Sequence, residues 1–274
     1  MEIITSLQNE RVKRVVKLQR KASARREAGL TVIEGAREVF RAIENGWQPT
    51  ELWVGGTDGL AILQGLENVD AVSSPRFHAS ENVFNKITFR ENPDGILAVG
   101  PLVGKKLSEL ELPDNPLILV AEGVEKPGNL GALLRTADGA GVDAVIVCDA
   151  ATDLNNPNVI RNSIGTLFYL PVAEATSVET IAFLKEKGIR ILSAVPDADA
   201  VYTDCDLTGS LAIAVGAEDQ GLSKPWKSRR DACGTVSNAW KNLEVKIPML
   251  GKNDSLNVSV SAAILLYEAV RQRI

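Results

Sequence analysis

The chain has 274 residues, 45% apolar and 24% charged, which suits two modest domains or one large α/β domain whose core needs neither disulfide nor metal. Three dispersed cysteines (Cys148, Cys205, Cys233) without C-x-x-C spacing, and a single histidine, His78, point away from a metal site and from Ser-His or Cys-His nucleophile schemes. The net charge of −5 argues against a nucleic-acid partner, but its distribution argues the other way.

The front of the chain, MEIITSLQNERVKR, has no apolar stretch of signal-peptide type. No uninterrupted apolar segment of about 18 residues occurs further on, so no membrane span is expected and the cytoplasm is the default compartment. A basic helix from about Asn9 to Ala28 comes first. Between Arg11 and Arg26 it carries Arg11, Lys13, Arg14, Lys17, Arg20, Lys21, Arg25 and Arg26 and no acid. Such a run can track a phosphate backbone, and it reads equally well as a solvated helix face. A strand (LTVIEG), a helix (AREVFRAIENG) closed by Gly46, strands at ELWVG and DAVSS, a helical stretch around ENVFNKI and a strand at GILAVG complete a small α/β unit. The polar stretch GKKLSELELPDNP then reads as a linker. The expected division is residues 1–104, a linker at 105–115, and a second domain at 116–274.

The second domain alternates strands (117–122, 144–149, 190–195, 211–217 and 243–247) with helical pieces. The strands are rich in Val, Ile and Leu with little alternation, which predicts a mostly parallel sheet buried on both faces. The last helix is apolar on nearly every side at Leu256, Val258, Val260, Ile264, Leu265 and Leu266. It calls for a second covering surface, for which a subunit partner is a reasonable candidate.

Three segments carry candidate chemistry. The first, VEKPGNLGALLRTADGAG, leads from a strand through a Gly-containing loop into a helix N-terminus, where free N–H groups favour anions. Asn129 and Arg135 are not neighbours if both lie on one regular helix; in a loop, Asn129 could fold back beside Arg135. A close-packed crossover explains the same small residues. Gly128, Gly131 and Asp149 imitate a dinucleotide site, but the G-x-G-x-x-G pattern is missing. The second, LAIAVGAEDQGLS, places Gly216 at a strand end, where a ligand can approach the backbone. Glu218 there is either a functional carboxylate or the start of a capped turn. In the third, KIPMLGKNDSLNVSVSAA, Ser255 reads as the N-cap of the last helix, and Asn257 is a polar residue in an apolar first turn.

Taken in order, N-L-G-A-L-L-R, V-G-A-E-D-Q-G-L-S and I-P-M-L-G-K-N-D-S-L-N-V-S-V-S resemble the motifs of the SpoU/TrmH branch of the SPOUT RNA methyltransferases. TDLNNPNVIRNSIGTLFYLPV resembles the same family, while VIEGAREVFRAIENG and PDGILAVG look like its appended RNA-binding domain, itself similar to a ribosomal protein. The resemblance implies an α/β fold with a trefoil-knotted SPOUT domain behind a small α/β RNA-binding domain. It also implies a homodimer with the active site at its interface, S-adenosylmethionine as cofactor, and 2′-O-ribose methylation of ribosomal or transfer RNA. Carried over by position, Gly216, Ile247 and Leu256 hold the cofactor with Met249, Leu250 and Ser255 beside them. Asn129, Arg135, Glu218, Ser255 and Asn257 form the catalytic and substrate-positioning set. A guanidinium with a pKa above ~12 is better suited to stabilising phosphate or alkoxide than to taking a proton, although family accounts often make this arginine the base. Arg11, Lys13, Arg14, Lys17, Arg20, Arg25 and Arg26 are the RNA-facing candidates, with Trp226 and the basic residues of 224–230 as further ones. A non-catalytic RNA-binding or ribosome-assembly factor with the same fold is the leading alternative, ahead of a nucleotide-dependent oxidoreductase.

Overall fold

A computed structural model describes residues 1–65, 73–90, 92–227 and 242–274. They divide into two units, Met1–Val103 with Asp153–Tyr169, and Gly104–Thr152 with Leu170–Ile274. No helix among the described residues is long and apolar enough to cross a membrane.

In the first unit the order is β1 (Glu2–Ile4), α1 (Glu10–Arg20), α2 (Ala22–Ala28), β2 (Leu30–Glu34), α3 (Ala36–Glu44), β3 (Glu51–Gly55), α4 (Gly56–Gln64), β4 (Arg76–Ala79), α5 (Glu81–Ile87) and β5 (Ile96–Pro101). The strands form one mixed sheet, β1-β4-β3-β5-β2. Val12, Val15 and Leu18, spaced for one face of α1, pack with Val32, Trp53, Leu97 and Val99. Of the expected strand DAVSS, residues 70–72 lie outside the described residues and Ser73–Ser74 are irregular; the strand begins at Arg76.

The single basic helix expected from Asn9 to Ala28 is two helices, broken where Lys21 takes up extended backbone. The cause is Arg25. The last carbonyls of α1 have no donor within the helix, and the Arg25 guanidinium, only 2% exposed, supplies one to Leu18 O at 2.6 Å and to Gln19 O at 3.1 Å. Its Nε reaches Asp153 at 2.7 Å. Arg25 is therefore a buried structural cation rather than an RNA contact. Arg11 and Arg14 both donate to the buried Glu51 carboxylate, and Arg11 stacks 4.9 Å over the Phe77 ring. Lys13 pairs with Glu10 on the surface. Lys17, Arg20, Lys21 and Arg26 are exposed, without an ion pair among the described residues.

The rest of the chain comprises β6 (Leu117–Glu122), α6 (Pro127–Gly139), β7 (Ala144–Cys148), α7 (Pro157–Asn162, packed on β2 within the first unit), β8 (Val172–Ala175), α8 (Ser177–Glu186), β9 (Arg190–Ala194), β10 (Ala200–Val201), β11 (Leu211–Val215), β12 (Asn242–Lys246) and α9 (Val258–Arg273). The second unit's strands lie in the order β10-β12-β9-β11-β6-β7-β8 and run parallel in every described pairing. Ile118, Val120, Ile146, Ala212 and Ala214 meet Ile181 and Leu184 of α8. The alternate positions turn to the opposite face, where α6 packs on β6, α9 on β11, and the two helices on each other. The stretch expected to be a linker is part of this unit. Lys105 pairs with Ala173, Leu110 is buried in the core, and Leu107 and Leu112 pack against it. Three leucines within the expected linker bury too much apolar surface for a free tether.

A buried polar network fixes the chain after β11. Glu122, 5% exposed at the end of β6, accepts the Ser223 N–H and the Ser177 hydroxyl at 2.7 Å each, and also the Ser223 hydroxyl. Trp226 is wholly buried; its indole N–H donates to Ser177 Oγ at 3.0 Å, and its carbonyl accepts from Ser193 Oγ at 2.7 Å. Trp226 is thus a core residue rather than an RNA-stacking one, and residues 228–230 of the expected basic patch lie outside the described residues.

Replacing Arg25 by Met should lower stability by about 3–5 kcal/mol, because Asp153 and two carbonyls lose their donor together. Arg26→Met should stay within about 0.5 kcal/mol of wild type. Urea unfolding followed by tryptophan fluorescence checks both, and equal midpoints for the two variants would contradict Arg25's structural role.

Candidate active site

Three segments remote in sequence meet at one carboxylate. Pro127 opens α6 at a position where its missing N–H costs nothing, which puts Asn129 in the helix's first turn. Gly216 and Gly221 shape the turn after β11, with Ala217 and Gly221 paired across it and Gly221 left-handed at φ 64°. This turn presents Glu218. Asn257 is the N-cap of α9.

Glu218 Oε1 accepts from Asn257 Nδ2 at 2.9 Å and from Asn129 Nδ2; its Oε2 accepts from Lys126 Nζ at 2.7 Å. Asn257 Nδ2 also lies 3.2 Å from Asn129 Oδ1. Asn257 Oδ1 meanwhile accepts from Ser259 N at 3.0 Å and Ser259 Oγ at 2.6 Å. Only an amide can cap α9 with its oxygen and donate to a carboxylate with its nitrogen. Aspartate would cap equally well but would repel Glu218. The salt bridge to Glu218 raises the Lys126 ammonium above the ordinary lysine value, so it stays charged. Val124, Lys126, Asn129, Ala217, Glu218 and Val258 border a pocket of about 290 Å³.

Asn129, Glu218 and Asn257 are therefore brought together as expected, and Arg135 makes no hydrogen bond with them. Ser255 is exposed and caps nothing; the cap is two residues later. Arg135 lies on the same regular helix as Asn129, about 9 Å further along the axis and some 120° round it. It is exposed, with no polar partner among the described residues, so the folded-back Asn129 does not occur. Gly216 has a reason in the fold itself to be glycine. A Cβ there would come within 2.2–2.4 Å of the Gly221–Leu222 backbone, so the close approach is by its own loop. Ile247 and Met249 are half-buried, Leu250 is 97% exposed and Leu256 36% exposed. They follow the C-terminal end of β12, at the sheet edge where ligands of parallel sheets bind. Asp149, the acid of the apparent dinucleotide pattern, is occupied in accepting the Ser177 N–H at 3.0 Å. Burial pushes the Cys148 thiol up to about 12, which leaves it inert; Cys233 lies outside the described residues.

Two residues escaped the sequence reading. Lys126 carried a signal in being a lone cation beside the first motif. Glu122 carried one as a single acid closing a run of five apolar strand residues.

The SpoU rRNA Methylase family matches residues 116–267, and the MRM3-like substrate binding domain matches residues 9–98. The chain is 30% identical over 267 residues to the 23S rRNA (guanosine(2553)-2'-O)-methyltransferase RlmP of Bacillus subtilis, covering 97% of this chain and 98% of that one. Among solved structures, an RNA 2'-O ribose methyltransferase is 38% identical with a TM-score of 0.80, covering 98% of both chains. The SpoU methyltransferase AviRb of Streptomyces viridochromogenes, solved with AdoMet, is 26% identical with a TM-score of 0.85, over 97% of this chain and 98% of that one. With the family match spanning more than half of its residues and the alignment to RlmP nearly all of them, the chain belongs to the SpoU rRNA Methylase family.

Proposed function

We propose that the protein is an S-adenosylmethionine-dependent methyltransferase acting on a ribose 2′-hydroxyl of ribosomal RNA in the cytoplasm. The observation that carries this reading is the convergence of Asn129, Glu218 and Asn257, one from each motif, in one hydrogen-bonded cluster, with Asn129 and Glu218 lining a pocket. We assign the cofactor to the apolar Ile247–Leu250 loop and Leu256, which follow β12 at the same C-terminal edge of the parallel sheet as the turn that Gly216 shapes after β11. Bound there, it supplies an electrophilic methyl group. The chain's own task is then to hold the acceptor oxygen in line and stabilise the charge it develops. A carboxylate has about four acceptor positions. Three donors occupy Glu218, which leaves room for a substrate hydroxyl, while Asn129 and Asn257 fix the carboxylate's orientation.

Arg135 lies too far round α6 to join this cluster in one protomer. We place it in the partner's site of a twofold homodimer, where it stabilises phosphate or the developing alkoxide. Exposed Val260 (46%) and Tyr267 (51%) on α9, and Leu250 on its loop, support a covered face. The strand order supports the expected knot: β12 lies beyond β9 from β11, yet α9 returns to β11 and α6. Within the basic run Lys17, Arg20, Lys21 and Arg26 are the cations open to RNA backbone, since Arg11 and Arg14 serve the buried Glu51 carboxylate and Arg25 serves Asp153.

Incubation with methyl-labelled cofactor and an unmodified 23S ribosomal RNA transcript should label the RNA. After alkaline hydrolysis the label should appear in dinucleotides, because a methylated 2′-oxygen cannot attack its phosphodiester. Label in mononucleotides would indicate base methylation and overturn the ribose assignment. Arg135→Ala and Asn257→Ala should each abolish transfer in their own homodimers. Co-expressed and purified as mixed dimers through two different tags, they should regain a substantial part of it. Mixed dimers as inactive as their parents would rule out Arg135 acting across the interface.

A further inference from the structure

The pocket beside Glu218 holds Glu125, Glu218 and Asp219, and the only cation lining it among the described residues is Lys126. Ribose chemistry makes that composition a problem. The 2′-hydroxyl of an RNA chain is vicinal to the 3′-oxygen, which carries a phosphodiester monoanion. No acceptor hydroxyl can approach Glu218 without bringing this phosphate towards three carboxylates. Repulsion of that kind would weaken RNA binding unless a cation meets the phosphate locally.

We propose that Lys126 is a substrate-binding residue that contacts the phosphodiester on the 3′ side of the target nucleotide while remaining paired with Glu218. This assignment rests on the methyltransferase reading and adds a contact to it. An ammonium has three donors, and Glu218 uses one of them, at 2.7 Å. The side chain is 72% exposed, so the other two are open to a ligand. Lys126 occupies the N-cap position of α6 but makes no side-chain capping bond, so the helix start does not compete for it. The pairing also pre-positions a long flexible side chain, so ordering it costs less when RNA arrives. The rival role, a prop for Glu218 with no ligand contact, uses the same salt bridge but makes different predictions.

Wild type, Lys126→Gln and Lys126→Arg are compared as full-length proteins on an unmodified 23S ribosomal RNA transcript over a salt series, by filter binding and by methyl transfer. Melting temperature and S-adenosylmethionine affinity report whether each variant is folded with its cofactor site intact. For Lys126→Gln the RNA half-saturation point should rise about tenfold, and the slope of log affinity against log salt should fall by roughly 0.7 to 1. The loss should appear in RNA affinity and in its salt slope, which a mere prop for Glu218 would leave unchanged, and Lys126→Arg should recover most of both. Equal salt slopes for Lys126→Gln and wild type, with the loss confined to turnover, would make Lys126 a prop for Glu218 and overturn the assignment. A wild-type protein that binds the transcript but transfers no methyl would overturn the functional reading instead, and the binding slopes would still decide Lys126.

Discussion

A carboxylate can collect donors from several directions at once, and Glu218 uses that capacity to tie the starts of two helices to the turn that carries it. Its donors are Lys126, Asn129 and Asn257, so the spacing along the chain between bonded partners runs from 39 to 92 residues. The turn after β11, the start of α6 and the start of α9 are thereby set at one point. Two helix N-termini lie beside the carboxylate, and each favours negative charge by about 0.3–1 kcal/mol at an exposed site. The arrangement is thus stable as a charged cluster, and it is the acceptor side of the proposed chemistry.

The cluster is only as well placed as its supports. Gly216 lets the Gly221–Leu222 backbone close over the end of β11. Glu122 then takes hold of Ser223, and Trp226 is buried against Ser177 and Ser193. Substrate-facing residues therefore sit on a turn that is exposed at Glu218 and locked into the core a few residues later. The first unit follows a similar economy. Charges that look free in sequence are used internally: Arg25 closes α1, while Arg11 and Arg14 satisfy Glu51. Within the basic run, Lys17, Arg20, Lys21 and Arg26 stay exposed.

Much of the second unit was legible in sequence, because parallel strands buried on both faces read as unbroken apolar runs; β6, β7, β9 and β11 begin where the pattern places them. Short elements such as β1, β8 and α7 were not, since three to six residues show too little periodicity. The break at Lys21 was illegible for another reason. Arg25, which caps the end of α1, is held by Asp153, 128 residues away, a tertiary contact that local helix propensity does not report. Resemblance to the family's motifs singled out Asn129, Glu218 and Asn257, but did not show that Asn257 rather than Ser255 caps α9, because both are good N-cap residues. Lys126 and Glu122 went unread because their roles exist only once distant segments have met.

Exchange of a single atom tests the account most directly. Glu218→Gln keeps the shape but puts an amide nitrogen where an oxygen now accepts, so one of the three donors must face another donor. Measured with labelled cofactor and 23S ribosomal RNA transcript, methyl transfer should fall by about 10²-fold or more, while S-adenosylmethionine affinity and melting temperature stay near wild type. Wild-type turnover by a folded Glu218→Gln protein would contradict the claim that this carboxylate organises the site.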